Sequence, residues 1–242
     1  MRAKTNFAHF KHGFKNGIPI FLGYLAVSFT FGITAKSGGV DSLAVVLMSA
    51  LNFTSAGQFA ALDIIISGAS YAEMALTQLI INLRYSLMSS SISQRMSERM
   101  PAFHRFIIAF GMTDEIFGVD SSYPETNIPP AFCSGVMAAA QPGWVLGTLL
   151  GVISGSLLPP RILSALGIAL YGMFIAIIVP PARKNRVLGG IIIISMLASL
   201  LFSTLPVLRE ISSGFRIIIL TLLIASAAAI LFPVNADEEV AE

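Results

Sequence analysis

The chain has almost no means of covalent or metal cross-linking. One cysteine, Cys133, occurs in 242 residues, so no intrachain disulfide can form. Cys133 sits in an apolar run and reads as inert packing. The three histidines, His9, His12 and His104, lie in basic flanks and read as solvated residues; they make no metal-ligand spacing. There is no HExxH, no Walker loop and no GxGxxG placed after a strand. These absences argue against an enzyme and imply neither metal nor cofactor. Charge is scarce as well. Charged residues make up 12% of the chain, against roughly 25% in soluble domains. Ten-residue segments of alternating polarity, the mark of an outer-membrane barrel, are also missing.

What remains is apolar. Hydrophobic residues account for 55% of the chain and the mean hydropathy is +0.80. Helical spans need about 20 apolar residues in a row, and runs of that kind recur throughout. The composition predicts an all-α, polytopic helical membrane protein, 1–242 forming one integral membrane domain. Net charge is +2, and its placement matters more than its size. Arg2, Lys4, Lys11 and Lys15 crowd the N-terminus, and further basic clusters occur over 95–105 and 183–186. Basic clusters beside apolar spans report topology by the positive-inside rule, and no nucleic-acid partner is expected. The first apolar stretch, 17–35, is too long for a signal-peptide h-region and is followed by no small-residue cleavage site.

Eight apolar segments can be marked, near 17–36, 42–67, 71–92, 105–120, 131–158, 163–181, 187–207 and 214–233. Two look broken. Asn52-Phe53-Thr54-Ser55-Ala56-Gly57-Gln58 interrupts 42–67, and Gln141-Pro142-Gly143 interrupts 131–158; proline and glycine both weaken a helix. Broken segments at matching places in two halves point to a transporter's binding site. The halves would be repeats over 17–92 and 105–181, with 187–233 an additional hairpin. With the N-terminus in the cytoplasm, simple crossings would put the 95–105 cluster outside. Re-entry of 42–67 returns it inside, and the same change to 131–158 does so for 183–186.

Polar residues inside these segments are the candidate site. On 71–92, Glu73, Thr77 and Arg84 share one azimuth, since eleven residues make about three turns. A charge at bilayer depth costs at least ~2.5–3.5 kcal/mol on insertion scales and normally faces a cavity or partner. Arg84 can grip a carboxylate through its planar fork, or snorkel to the interface. Glu73, nearer a segment end, suits charge pairing or proton coupling, or an interface. Thr113-Asp114-Glu115 sets two carboxylates between apolar runs: a partner for Arg84, a proton carrier, or a helix start with Thr113 as N-cap. Asn52, Thr54, Ser55, Gly57 and Gln58, together with Asn82, offer polar groups for a substrate or for inter-helix bonding. Phe53 and Phe59 would line an apolar side-chain pocket. Asp63 is a further acidic candidate. Gly143, Gly147, Gly151 and Gly155 recur every four residues and predict close helix packing, with another segment or another subunit. Trp144 beside them reads as an interfacial anchor.

NFTSAGQFAAL (52–62), EMALTQLIINLRYSLMSSSISQ (73–94) and MTDEIF (112–117) resemble the hallmark blocks of the AzlC family. A Gln-Pro-Gly-Trp segment (141–144) and LYGMFIAIIVP (170–180) follow in matching order. The resemblance covers most of the chain and weakens after about residue 185. It implies a bacterial inner-membrane protein, the large subunit of a branched-chain amino-acid exporter. Such subunits work with a small AzlD-type membrane subunit and draw on the proton gradient. The blocks carried over are 52–58, 82–84 and 113–115. Tyr85 departs from the family's pattern, where histidine is common after Asn-Leu-Arg. A subunit energised by a separate ATPase and an uncoupled channel or scaffold subunit are the alternatives.

Overall fold

The computed structural model describes residues 6–97, 100–155, 175, 178–179, 182–183 and 185–233. Most of the segment expected at 163–181 lies outside them, as does most of the 170–180 block. Among the described residues all regular structure is helical. The helices are α1 (Asn6–Ser37), α2 (Ser42–Leu51), α3 (Ser55–Ser67), α4 (Tyr71–Gln94), α5 (Ala102–Phe110), α6 (Asp114–Ser121), α7 (Pro130–Ser154), α8 (Arg186–Thr204), α9 (Pro206–Arg209) and α10 (Ser213–Leu231). Four of them, α1, α7, α8 and α10, are long and apolar enough to cross a membrane. The chain divides into two units, Met1–Leu62 with Ile81–Leu170, and Asp63–Ile80 with Tyr171–Glu242.

The first unit is built on α1 and α7, which lie side by side and run parallel. Gly13 abuts Phe132, Gly17 abuts Val136, Gly143 abuts Phe21, Gly147 abuts Leu25, and Gly151 abuts Phe29. Residue numbers climb together along the contact, so both helices point the same way. A Cβ at any of these glycines would strike backbone of the other helix. In lipid there is little hydrophobic drive between helices, and close approach through small residues supplies the packing.

Two short helix pairs fold back beside this core. α2 begins at Asp41, whose carboxylate accepts from the Ala44 N–H at 3.0 Å. It ends at Asn52, which is extended (φ −131°, ψ 93°). α3 then returns: Ser49 meets Gln58, and Val45 clusters with Leu62, Phe31, Ala35 and Val152. Ten and thirteen residues make rods of roughly 15 and 20 Å, each too short for an apolar core about 30 Å thick. The expected break of 42–67 is therefore present, as a hairpin entering from the end where α1 finishes.

α5 and α6 form the opposite hairpin. They are nine and eight residues long, separated by Gly111, Met112 and Thr113. Both outer ends are tied to the end of α4. Arg105 on α5 donates to Ser93 Oγ at 2.6 Å and to the Ser97 carbonyl at 3.1 Å. Arg95 donates to the carbonyls of Ser121, Tyr123 and Glu125, just past α6, at 2.5, 2.7 and 2.8 Å. The hairpin enters from the end where α1 begins.

The break expected within 131–158 is not there. α7 runs unbroken from Pro130 to Ser154 with Pro142 inside it. Spanning helices tolerate proline where neighbours re-satisfy the backbone, and here the α1 contact extends along the glycine face on both sides of Pro142. The second discontinuity falls instead at 111–113, inside the segment read as a single run over 105–120.

The second unit contains α8 and α10, with mean hydropathies of 2.2 and 2.3 over their most apolar stretches, which are 0% and 6% buried. Helices apolar on all sides suit lipid contact. The Asn185 side chain caps α8 by accepting from the N–H groups of Val187 and Leu188. Glu73 does the corresponding work for α10, accepting from the Gly214 N–H at 3.1 Å and from the Ser212 hydroxyl.

Candidate functional site: two hairpin tips at Tyr24

The tips of both hairpins reach Tyr24, midway along α1. From α2–α3, the Phe53 ring stands edge-on to Tyr24 at 5.5 Å. From α5–α6, Thr113 Oγ1 and Glu115 Oε2 each lie 2.6 Å from the Tyr24 hydroxyl. The donors can be assigned. Thr113 Oγ1 accepts from the Ile116 N–H at 3.3 Å as the α6 N-cap. Its own proton goes to Tyr24, whose proton goes to Glu115. The expected helix start at Thr113 is thus present, with Asp114 and Glu115 in the first turn, where the helix dipole favours acids.

Arg84, halfway along α4, meets Asp114 at this tip. Nη1 and Oδ2 are 2.6 Å apart, with the two side chains 39% and 33% exposed. Nη2 donates to the Tyr85 hydroxyl at 3.2 Å, and the guanidinium carbon lies 4.9 Å from the Tyr85 ring centroid. Thr54 Oγ1, at the other tip, is 2.8 Å from Asn82 Oδ1 and 3.3 Å from the Tyr85 hydroxyl. Tyr85 therefore links the cation to the first hairpin.

Behind the tips runs a neutral chain. Trp144 Nε1–H donates to Gln58 Oε1 at 2.5 Å, and Gln58 Nε2 donates to Ser49 Oγ at 3.4 Å. Ser49 pairs with Thr148 Oγ1 at 2.8 Å. Trp144 is 1% exposed and Gln58 fully buried, so Trp144 is an internal strut rather than the interfacial anchor expected of it. Its ring is also edge-on to Tyr24 at 5.5 Å. Gln141 Nε2 donates to the Ala50 carbonyl at 3.3 Å, holding α7 to α2.

Of the residues singled out in the sequence, Thr54, Asn82, Arg84, Asp114 and Glu115 gather around Tyr24 and Tyr85, with Gln58 joined through Trp144. Asn52 stands at the first tip, and Ser55 and Gly57 open the first turn of α3. Glu73 belongs to the second unit, at the start of α10. Gly143, Gly147 and Gly151 lie against α1 of the same chain, and Gly155 against the Lys36 side chain. Phe59 stacks edge-on to Phe31 at 5.2 Å. Tyr24 was missed; its one signal was a lone phenol in the middle of an apolar span. Among the described residues no group of three or more His, Cys, Asp or Glu could hold a metal.

The arrangement offers one cation and two carboxylates at mid-helix depth, partly open, between two helix N-termini. Arg84 and Asp114 are both part exposed, so each can exchange its partner for another charged group.

Comparison with known proteins bears on this geometry. Residues 19–158 match the family described as AzlC protein. An uncharacterized membrane protein of Archaeoglobus fulgidus is 32% identical over 79% of this chain and 84% of its own. The inner membrane protein YgaZ of Escherichia coli is 29% identical over 83% of this chain and 84% of its own. The branched-chain amino acid transport protein AzlC of Bacillus subtilis is 24% identical over 74% of this chain and 70% of its own. No solved structure matches the chain. The family match takes in both hairpins, their tips and all of α7, and the chain belongs to the AzlC family of membrane proteins.

Proposed function

We propose that this chain is the permease subunit of a secondary transporter that exports branched-chain amino acids, coupled to protons and assembled with a small AzlD-type membrane subunit. The observation that carries the reading is the Arg84–Asp114 pair where two opposed hairpin tips converge. Half-helices meeting at depth are the recurring architecture of transporter sites. The substrate carboxylate displaces Asp114 from Arg84, whose fork suits bidentate binding. The substrate ammonium then faces Asp114 and Glu115. The aliphatic side chain lies toward Phe53. Either carboxylate also accepts a proton when the substrate leaves, which ties occupancy to the proton gradient. The name of the Bacillus relative supports the amino-acid class.

Orientation follows from charge. Lys11 and Lys15 on early α1 lie toward the same end as the Arg95 and Arg105 anchors of the second hairpin. Basic residues gathered at one end favour the cytoplasm, so the N-terminus is cytoplasmic in a bacterial inner membrane.

Proteoliposomes carrying the chain, with and without the small subunit, test the reading through labelled leucine and valine flux under an imposed pH gradient. Gradient-driven flux that needs the partner is expected. Folded protein that moves neither amino acid would overturn the substrate assignment.

A further inference from the structure

Asp120, near the C-terminal end of α6, is fully buried. Neither carboxylate oxygen has a hydrogen-bond partner that is nitrogen or oxygen. Beside it lies the thiol of Cys133, on the first turn of α7 and itself 2% exposed.

The charged and titratable groups of the surrounding elements are otherwise occupied. Arg95, from the end of α4, spends its guanidinium on the carbonyls of Ser121, Tyr123 and Glu125. His9 of α1 lies with Nδ1 3.2 Å from the Tyr123 hydroxyl. The His12 ring packs on Phe132 at 5.3 Å. Glu125, in the loop before α7, is exposed. Among the described residues the one carboxylate in an ion pair is Asp114.

An ionised carboxylate without water or a partner is far more costly to bury than a neutral acid. A neutral acid fits this place: its O–H can donate to the sulfur of Cys133. Ionisation removes that donor and leaves an anion between α6 and α7 whose one partner is the S–H of Cys133, a weak donor. Water must then enter, or the end of α6 must move out. α6 is a rod of eight residues whose first residue is Asp114, so displacement at one end disturbs the ion pair at the other.

We propose that Asp120 is a proton-binding site separate from the Arg84–Asp114 pair, and that loss of its proton loosens the end of α6 from α7. In that step the carboxyl O–H bond breaks, the proton passes to water entering at the end where α1 begins, and the carboxylate becomes hydrated. The inference stands without the transport reading, because both readouts below concern the protein alone.

Infrared difference spectroscopy of the full chain in bilayers, between acid and alkaline pH, detects the carbonyl stretch of a neutral carboxylic acid. A band present at neutral pH, absent in Asp120→Asn and displaced in Asp120→Glu, is expected. Maleimide labelling supplies the second readout, since Cys133 is the chain's one thiol. Each rate is divided by that of the unfolded chain at the same pH, which removes the ionisation of the thiol itself. This ratio rises several-fold with pH in the wild type and stays level in Asp120→Asn. The proposal is overturned if wild-type protein shows no such band at neutral pH, or if wild type and Asp120→Asn follow the same labelling course. Should Asp120→Asn fail to fold, the wild-type band and its displacement in Asp120→Glu decide the matter.

Discussion

The two hairpins are alike in architecture and opposite in chemistry. Each is a pair of half-length helices broken by three residues, and each tip touches Tyr24. The α2–α3 hairpin is tied to α7 by neutral groups: Gln58 to Trp144, Ser49 to Thr148, and the Ala50 carbonyl to Gln141. The α5–α6 hairpin carries Asp114, Glu115 and Asp120, and its outer ends are held by two arginines. Neutral hydrogen bonds in a dry interior do not change with pH; carboxylates do. We propose on this ground that α2–α3, behind its Phe53 tip, is scaffold and that α5–α6 is the moving, titrating part. Substitutions in the first should lower stability, and those in the second should alter transport.

The largest effect is expected at Arg84. Hydrogen bonds to charged groups contribute about 1.5–3 kcal/mol, so Arg84→Ala should slow flux roughly 10- to 100-fold, at 1.4 kcal/mol per decade. Thermal unfolding in detergent should barely move, since the pair is partly exposed. A large fall in melting temperature would make Arg84 structural and blur the division. Asp114→Asn comes next. It keeps the shape of the tip and removes one charge, so flux driven by a pH gradient should drop about tenfold, equivalent to roughly 1.4 kcal/mol. Unchanged gradient dependence would take the carboxylate out of coupling.

Trp144→Phe tests the other hairpin. It leaves Gln58 Oε1 buried without its donor, at a cost of about 1–3 kcal/mol. Unfolding should shift to lower temperature while the pH profile of flux keeps its shape; a changed profile would assign this hairpin a part in coupling. Thr113→Ala is the smallest perturbation. Loss of an N-cap costs about 1 kcal/mol, and the Tyr24 hydroxyl loses one of its two partners. A modest fall in flux with a drop of roughly 2–4 °C in melting temperature is expected.

Legibility in the sequence followed the physics of each break. The interruption after Asn52 was visible because a cluster of polar and small residues sits inside an apolar run. The interruption at 111–113 was half visible. Thr113 followed by two acids spelled a helix start, yet 105–120 was still marked as one segment, although about 20 residues are needed to span. Pro142-Gly143 misled for the converse reason. Local helix preference is weak beside tertiary packing, and the glycine face of α7 against α1 outweighs one proline. That the partner of this face is α1 could not be read from the stripe itself; Gly13 and Gly17 on α1, also four apart, were the matching signal. Asp120 stands where an apolar run meets a polar loop, and local sequence carries no sign that it is buried. Its burial depends on α7 and on the anchoring of the loop by Arg95, which lies 25 residues earlier in the sequence.

The opposed entry of the two hairpins underlies the whole account, and cysteine accessibility tests it most directly. In a Cys133→Ser background, single cysteines at Ser37, Ser97 and Glu125 would be labelled from each side of sealed vesicles with an impermeant maleimide. Opposed re-entrant hairpins predict that Ser97→Cys and Glu125→Cys react from one side and Ser37→Cys from the other. Labelling of Ser97→Cys from the same side as Ser37→Cys would mean that 42–67 crosses the membrane, and would contradict the account.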